Sequence, residues 1–366
     1  MTASLPRTVV RILTLTLLLP TFAFAQHYNQ TNLVSDIEGM APVTDPNLKN
    51  PWGLARSSGS PWWVSNNGTG TSTLYDAKGN PQPATPLVVT VPPPKGSTDT
   101  ATPSGMVFNG TTDFAVAPGK PGLFIFVTED GTISGWNPGV DPHNAQLVVD
   151  NSKKGAVYKG CTISQLHGAH YLYATNFHSG RVEVYDAAFH RVKLWEQAFD
   201  DERIPRGFAP FNIQAVGSNL FVTYAQQDAD KHDDVAGAGL GFVDVFSPSG
   251  KLRARLEHGW WLNSPWGVAL APGEFGEFSH DVLIGNFGSG QVAAYNPVTG
   301  RFRGLVKNPD DSILTINGLW ALSFGNNGAA GSSTTLYFSA GLHDEADGLF
   351  GTLTPITSEL NEEDEP

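Results

Sequence analysis

The chain has 366 residues, with 22 Lys plus Arg against 35 Asp plus Glu and a formal charge of −13. Only 16% of it is charged, and 40 Gly and 26 Pro interrupt it throughout, which excludes a coiled coil or helical bundle. Its 40% hydrophobic and 11% aromatic content can fill a large core, and the acidic balance without a Lys/Arg face excludes nucleic acid as a partner.

Arg7 and Arg11 lead into an apolar run from Ile12 to Leu19, after which Pro20 and Ala23-Phe24-Ala25 form a cleavage pattern. Residues 1–25 are therefore expected to be a signal peptide removed before Gln26, and the mature protein to be secreted or periplasmic. The apolar run is about half the ~20 residues that span a bilayer, so no membrane insertion is expected after cleavage. Cys161 is the single cysteine, which rules out an internal disulfide and reads as a small buried hydrophobe.

After the leader, six segments share one pattern: Asn-Pro-Trp-Gly-Leu-Ala at 50–55, Thr-Pro-Ser-Gly-Met-Val at 102–107, Tyr-Lys-Gly-Cys-Thr-Ile at 158–163, Ala-Pro-Phe-Asn-Ile-Gln at 209–214, Ser-Pro-Trp-Gly-Val-Ala at 264–269 and Ile-Asn-Gly-Leu-Trp-Ala at 316–321. With Gly53, Gly105, Gly160, Asn212, Gly267 and Gly318 as anchors, the steps are 52, 55, 52, 55 and 51 residues. Runs such as Arg181-Val182-Glu183-Val184-Tyr185 alternate with period two, which predicts strands with one buried face, and helical periodicity is nowhere sustained. Each repeat adds a fourth run, for example Leu87 to Val91, Ala145 to Val149 and Leu252 to Leu256. Four strands per ~50 residues predict an all-β fold, a six-bladed β-propeller of four-stranded blades.

The sixth repeat stops near Leu353 with three strands, while Tyr28 to Ser35 at the other end belongs to no blade. The ring is therefore expected to close by the N-terminal strand joining the last blade, which leaves no open sheet edge. Residues 26–355 form one domain in this reading, a monomer is expected, and 356–366 read as an acidic disordered tail.

The Pro-Trp-Gly-Leu/Val-Ala strand starts, the turns Asn-Phe-His-Ser-Gly-Arg-Val-Glu-Val-Tyr-Asp and Asn-Phe-Gly-Ser-Gly-Gln-Val-Ala-Ala-Tyr-Asn, and the stretch Gln227 to Gly237 resemble an uncharacterised family of secreted bacterial six-bladed propellers. The resemblance covers nearly the whole mature chain. Members often end in a Pro-Glu-Pro sorting tail, which this sequence lacks, so release rather than membrane processing is expected. More distantly the chain is similar to NHL-repeat and gluconolactonase-like propellers, which implies a divalent metal at the mouth of the channel.

Blade geometry brings the loops between second and third strands, and the connections into each inner strand, to one face of the disc. The first set places Asn66 and Asn67, Glu129 and Asp130, Asn176 and His178, Asn286, and His343, Asp344 and Glu345 there; the second adds Asn50, Lys159, Arg206, Asn263 and Asn317. A ring of amide and carboxylate oxygens suits a hard cation or a polar metabolite. Asn before Gly is also the standard turn residue, and both readings stay open.

The insertion from Gln226 to Leu240 carries Asp228, Asp230, Asp233 and Asp234, a candidate metal site for Ca²⁺ or another divalent cation, against the alternative of a solvated loop. Trp260 and Trp261 are adjacent on a mouth-facing connection, so one is a candidate stacking surface. No hydrolase, zinc-protease or phosphate-loop motif occurs. Two functions follow: an exported propeller binding a small polar molecule, a metal ion or an extracellular protein, which is favoured, or a divalent-metal-assisted hydrolase or lyase. In the latter Glu129, Asn176 and Asn286 would hold the ion and His178 or His343 would serve as acid/base.

Overall fold

A computed structural model describes residues 27–356; the expected leader, and the tail apart from Ile356, lie outside the described residues. Six blades form the disc. Blade 1 comprises Pro51–Ala55, Trp62–Asn66, Thr71–Tyr75 and Val88–Thr90, and blade 2 Pro103–Phe108, Phe124–Thr128, Thr132–Trp136 and Gln146–Asp150. Blade 3 comprises Tyr158–Leu166, Ala169–Asn176, Arg181–Tyr185 and Arg191–Val192; blade 4 Phe208–Val216, Asn219–Gln226, Gly241–Phe246 and Leu252–Arg255; blade 5 Pro265–Leu270, Val282–Asn286, Val292–Tyr295 and Phe302–Leu305. Blade 6 is Leu319–Phe324, Leu336–Gly341 and Asp347–Pro355, completed by Tyr28–Ser35.

That completion runs antiparallel from Tyr28 opposite Pro355 to Ser35 opposite Leu349, as the strand deficit predicts. Val43–Thr44 then adds in parallel outside it, which no sequence pattern announces. Tyr28 is fully buried, stacks near Phe275 and Phe278 of the neighbouring blade, and donates its hydroxyl to Phe275 O at 2.9 Å. Burial of one such side chain stabilises by about 1.5–3 kcal/mol. On the other side of the seam Trp62 packs on Tyr337 at 4.8 Å and donates to Ala330 O.

The expectation of one buried face per strand is corrected by the stacking of blades. Trp62–Asn66, Phe124–Thr128 and Val282–Asn286 are buried at every position, because both faces of a middle strand meet a neighbouring sheet. Outer strands such as Gln146–Asp150 remain part-exposed.

The repeat anchors owe their residue type to close approach at the axis. A Cβ on Gly53 would lie 2.8 Å from Ser104 O, one on Gly105 2.6 Å from Gly160 Cα, and one on Gly267 2.7 Å from Trp320 O. The sixth anchor is Ala321 rather than Gly318. Trp320 falls in register with Trp52 and Trp266, and Ala321 lines the narrow axial cavity alongside Gly53, Gly105 and Gly267. Gly318 serves instead at a turn with φ of 66°.

One residue before each anchor stand Trp52, Ser104, Lys159, Phe211, Trp266 and Trp320. The aromatic members form a plug across the channel. Trp52 stacks on Trp320 at 3.6 Å, Trp266 meets both edge-on at 6.0 and 5.8 Å, and Phe287 stacks on the free face of Trp320 at 3.9 Å. Lys159 is the one cation among these six equivalent positions.

Candidate functional site

Lys159 is 1% exposed at the start of the inner strand of blade 3. Its ammonium lies 5.1 Å from the Trp52 ring and 5.7 Å from the Phe177 ring, a cation–π arrangement on the rim of the plug. It is paired with Glu129 and, at 3.2 Å, with Asp233 of the insertion in blade 4. Burial alone would push its pKa down, but Glu129 and Asp233 outweigh that and hold it above the ordinary lysine value.

A hydrogen-bonded chain runs outward from this lysine in both directions. Glu129 accepts from Asn67 Nδ2 at 2.7 Å, and Asn67 Oδ1 accepts from Asn50 Nδ2 at 3.4 Å. Asn50 Nδ2 also donates to Glu345 Oε2 at 2.5 Å, while its Oδ1 accepts from Trp320 Nε1 at 3.1 Å. On the other side Asp233 Oδ1 sits 2.8 Å from His232 Nδ1. Side chains from blades 1, 2, 3, 4 and 6 thus meet in one network over the plug.

Local backbone geometry holds several of these groups in place. Asn50 has a φ of 43°, and His343, Asp344 and Glu345 form a left-handed turn with φ of 52°, 52° and 66°. Each such non-glycine residue costs of order 1–2 kcal/mol, so the surrounding contacts over-determine the turn that delivers Glu345.

The titration behaviour follows burial and partners. Burial raises Glu345 to about 7, with the Asn50 hydrogen bond opposing and Glu129 adding to the rise. Asp233 is lowered to about 2, by its bond to His232 and then by Lys159, and His232 is raised by the same bond. Burial pushes Asp234 upward, and its Oδ2 is shielded from solvent without a hydrogen-bond partner.

The sequence candidates divide sharply by position. Glu129 and Asp233 lie at the centre. Asp228 accepts from the His232 amide within its own loop and Asp230 is exposed, and among the described residues Asp233 groups with Glu129 and His232 rather than with the other three aspartates. Asn66, Asn176 and Asn286 perform strand-end chemistry: Asn66 donates to Thr71 and Thr73, Asn176 accepts from the Ser179 amide and donates to Glu183, and Asn286 donates to Gln291 O and accepts from the Asn263 amide. Asp130 accepts from the amide and hydroxyl of Thr102. Arg206, Asn317 and His178 are exposed, and His343 pairs with Asp347 at 2.8 Å. Trp261 stacks on Phe302 at 4.0 Å and donates to Tyr295 Oη, whereas Trp260 is 60% exposed.

Asn50, Asn67 and Glu345 stand on connections and Lys159 at the start of its inner strand, all where blade geometry places them at the mouth, yet nothing in their local sequence singles them out from the other candidates there. The one available signal was Lys159 itself, a lysine where the equivalent repeats carry Trp, Phe or Ser.

For a metal, Glu129, His232 and Asp233 each offer a ligand atom, all within 4.8 Å of one another. Two carboxylates and an imidazole fall short of the six to eight oxygens that Ca²⁺ takes. The Lys159 ammonium also already engages two of the three groups.

No family model matches the chain. It is 31% identical over 329 residues to uncharacterised protein R648 of Acanthamoeba polyphaga mimivirus, covering 88% of this chain and 78% of that protein. It is 30% identical over 332 residues to uncharacterised protein L690 of the same virus, covering 88% and 84%. The chain belongs to the family of these proteins. Both relatives are viral, where the motif resemblance implied bacterial ones, and neither carries an assigned activity. Among solved structures the chain's fold is similar to a streptogramin B lyase, at 13% identity and a TM-score of 0.52 over 90% of this chain and 98% of that one. It is likewise similar to a Bacteroides thetaiotaomicron protein of unknown function, at 10% identity and a TM-score of 0.54 over 91% and 77%. Likeness at that level shows the propeller fold alone.

Proposed function

We propose that this is an exported binding propeller that takes a small polar ligand at the channel mouth, above the aromatic plug. The observation that carries the reading is Lys159: a charged side chain buried at the axis, on aromatic rings, in a network drawn from five blades. A buried ion pair contributes little net stability compared with an apolar pair of the same volume, so stability alone gives weak reason to keep one at that position. Hydrogen-bonding side chains on an apolar floor are what orients a small polar molecule.

The test is a thermal-shift screen of sugars, amino acids, small carboxylates and amines against the wild type and Lys159→Met. A ligand at 100 times its Kd adds about 2.7 kcal/mol to stability. The reading expects at least one compound class to raise the melting temperature of the wild type and not of the variant. Equal shifts in both proteins contradict it.

A metal-assisted reaction is the second reading, favoured by the grouping of Glu129, His232 and Asp233. It requires Lys159 to leave both carboxylates. Stabilisation of the wild type by a micromolar divalent cation that accepts mixed nitrogen and oxygen ligands, such as Zn²⁺, lost in Glu129→Gln, would support this reading over the first.

A further inference from the structure

The two carboxylates on Lys159 are held very differently. Glu129 is 9% exposed, and besides Lys159 it is fixed by Asn67 and by its own amide bonding to Thr102 O. Asp233 has 65% of its side chain in solvent and stands on an insertion built largely on itself. In that loop the Asp228 amide donates to Asp233 O, the His232 amide to Asp228 Oδ1, and the Val235 amide to Gln226 O. Its anchors to the body lie at its ends: Gln227 bonds to Gly207 O and Phe177 O, Gly237 to Asn263 Oδ1, and Gly239 to Leu262 O. Between those ends the Asp233–Lys159 pair ties the tip down.

We infer that Asp233 is a tethered stand-in for the carboxylate of a ligand, and that a small carboxylate displaces it from Lys159 as residues 228–236 lift between those anchors. This rests on the reading of the mouth as a binding site and gives its ligand a chemical class.

The exchange conserves charge. One carboxylate leaves the ammonium and another takes its place, so Glu129, Glu345 and Asp234 oppose the bound anion no more than they oppose Asp233. To reach Glu129 a ligand that was itself a cation would have to expel Lys159, which is buried on a strand, instead of an exposed loop residue. The floor also offers donors. The indole Nε1 atoms of Trp52 and Trp266, 2% and 4% exposed, have no hydrogen-bond acceptor, and the face of Trp52 lies under the same ammonium. An unmatched buried donor on the ring that the ammonium rests on suits a molecule with acceptor oxygens rather than one with further N–H groups.

The experiment is calorimetric titration of acetate, acetamide and methylammonium into wild type, Asp233→Asn and Asp230→Asn. Asp230 is exposed on the same loop, so its variant removes an equal charge without touching Lys159. The inference expects Asp233→Asn to bind acetate at least about tenfold more tightly than wild type, or about 1.4 kcal/mol. It expects Asp230→Asn to match wild type and neither acetamide nor methylammonium to respond. Lys159→Met combined with Asp233→Asn should lose the acetate gain. Because that protein leaves Glu129 buried without its cation, Glu129→Gln is added to it so that loss of binding is read on folded protein. Acetate affinity equal in wild type and Asp233→Asn, or a gain shared by Asp230→Asn or by methylammonium, overturns the inference. If a different ligand still binds in a Lys159-dependent way, the mouth reading stands while the carboxylate assignment falls.

Discussion

Tyr158 and Lys159 are neighbours on one strand, at a β-bulge that interrupts its regular alternation, and they lead into separate networks, each built on a buried glutamate. Tyr158 leads to Glu183, whose Oε2 accepts from the hydroxyls of Tyr158 and Tyr185 at 2.7 Å each, and whose Oε1 accepts from Asn176 at 3.1 Å and Arg191 at 3.0 Å. Asn151 donates to both phenols, and Lys154 donates to Asn151. Burial pushes both phenols far above their ordinary pKa, so they stay donors. Every partner in that network stands on blade 3 or on the connection that leads into it. The Lys159 network obeys the same rule that a buried charge must be paired, but one of its partners arrives on an exposed loop. A network completed within the framework is structural, and one left to a loop at a single edge is where a ligand can enter.

The largest effect should come from breaking the closed network. Glu183→Ala leaves the two buried phenols only each other as acceptor and strips the buried Asn176 amide of its acceptor, and should cost about 3–5 kcal/mol in urea unfolding, with ligand binding at the mouth unchanged. Lys159→Met should cost about 3 kcal/mol by stranding Glu129, and most of that should return in the double variant with Glu129→Gln. Additive losses in the double variant would show that the two side chains are not coupled.

Glu345 sharpens the comparison through pH. Its pKa in the fold, about 7, lies above the ordinary 4.5, so the folded state binds the proton more tightly than the unfolded chain. The stability this provides is present at low pH and lost as pH rises from about 4.5 through 7, by up to about 3 kcal/mol. Glu345→Gln should flatten that part of the stability profile and leave the protein more stable than wild type at pH 8. An unchanged slope would remove Glu345 from the network. The smallest effect belongs to Asp233→Asn, below about 1 kcal/mol, because its carboxylate is largely solvated.

Most of the architecture was legible in the sequence because the chain repeats. Glycines that let inner strands touch recur at nearly constant spacing, and a spare strand at one end matches a deficit at the other. The misplaced sixth anchor shows the limit: Ala321 is small enough for the axial position, so glycine is not obligatory there, and a nearby turn glycine imitated it. The site was less legible. Asn66, Asn176 and Asn286 carry the strongest motif, yet the hydrogen bonds they make belong to strand ends. Glu345 reaches the axis on a left-handed turn and Asn50 through a positive φ, neither of which a local pattern encodes, while Asn67 meets Glu129 from the short 3₁₀ turn after its strand. Asp233 differs from Asp228 and Asp230 only in the direction that the folded loop gives it.

Native-state hydrogen exchange of the full protein tests the contrast most directly. The account predicts that amides of residues 228–236 open at a free energy several kcal/mol below those of Tyr158–Leu166 and Arg181–Tyr185, and that Asp233→Asn lowers the loop value further while leaving those strands unchanged. Loop amides that exchange only with global unfolding, at the same free energy as the strands of blade 3, would contradict it.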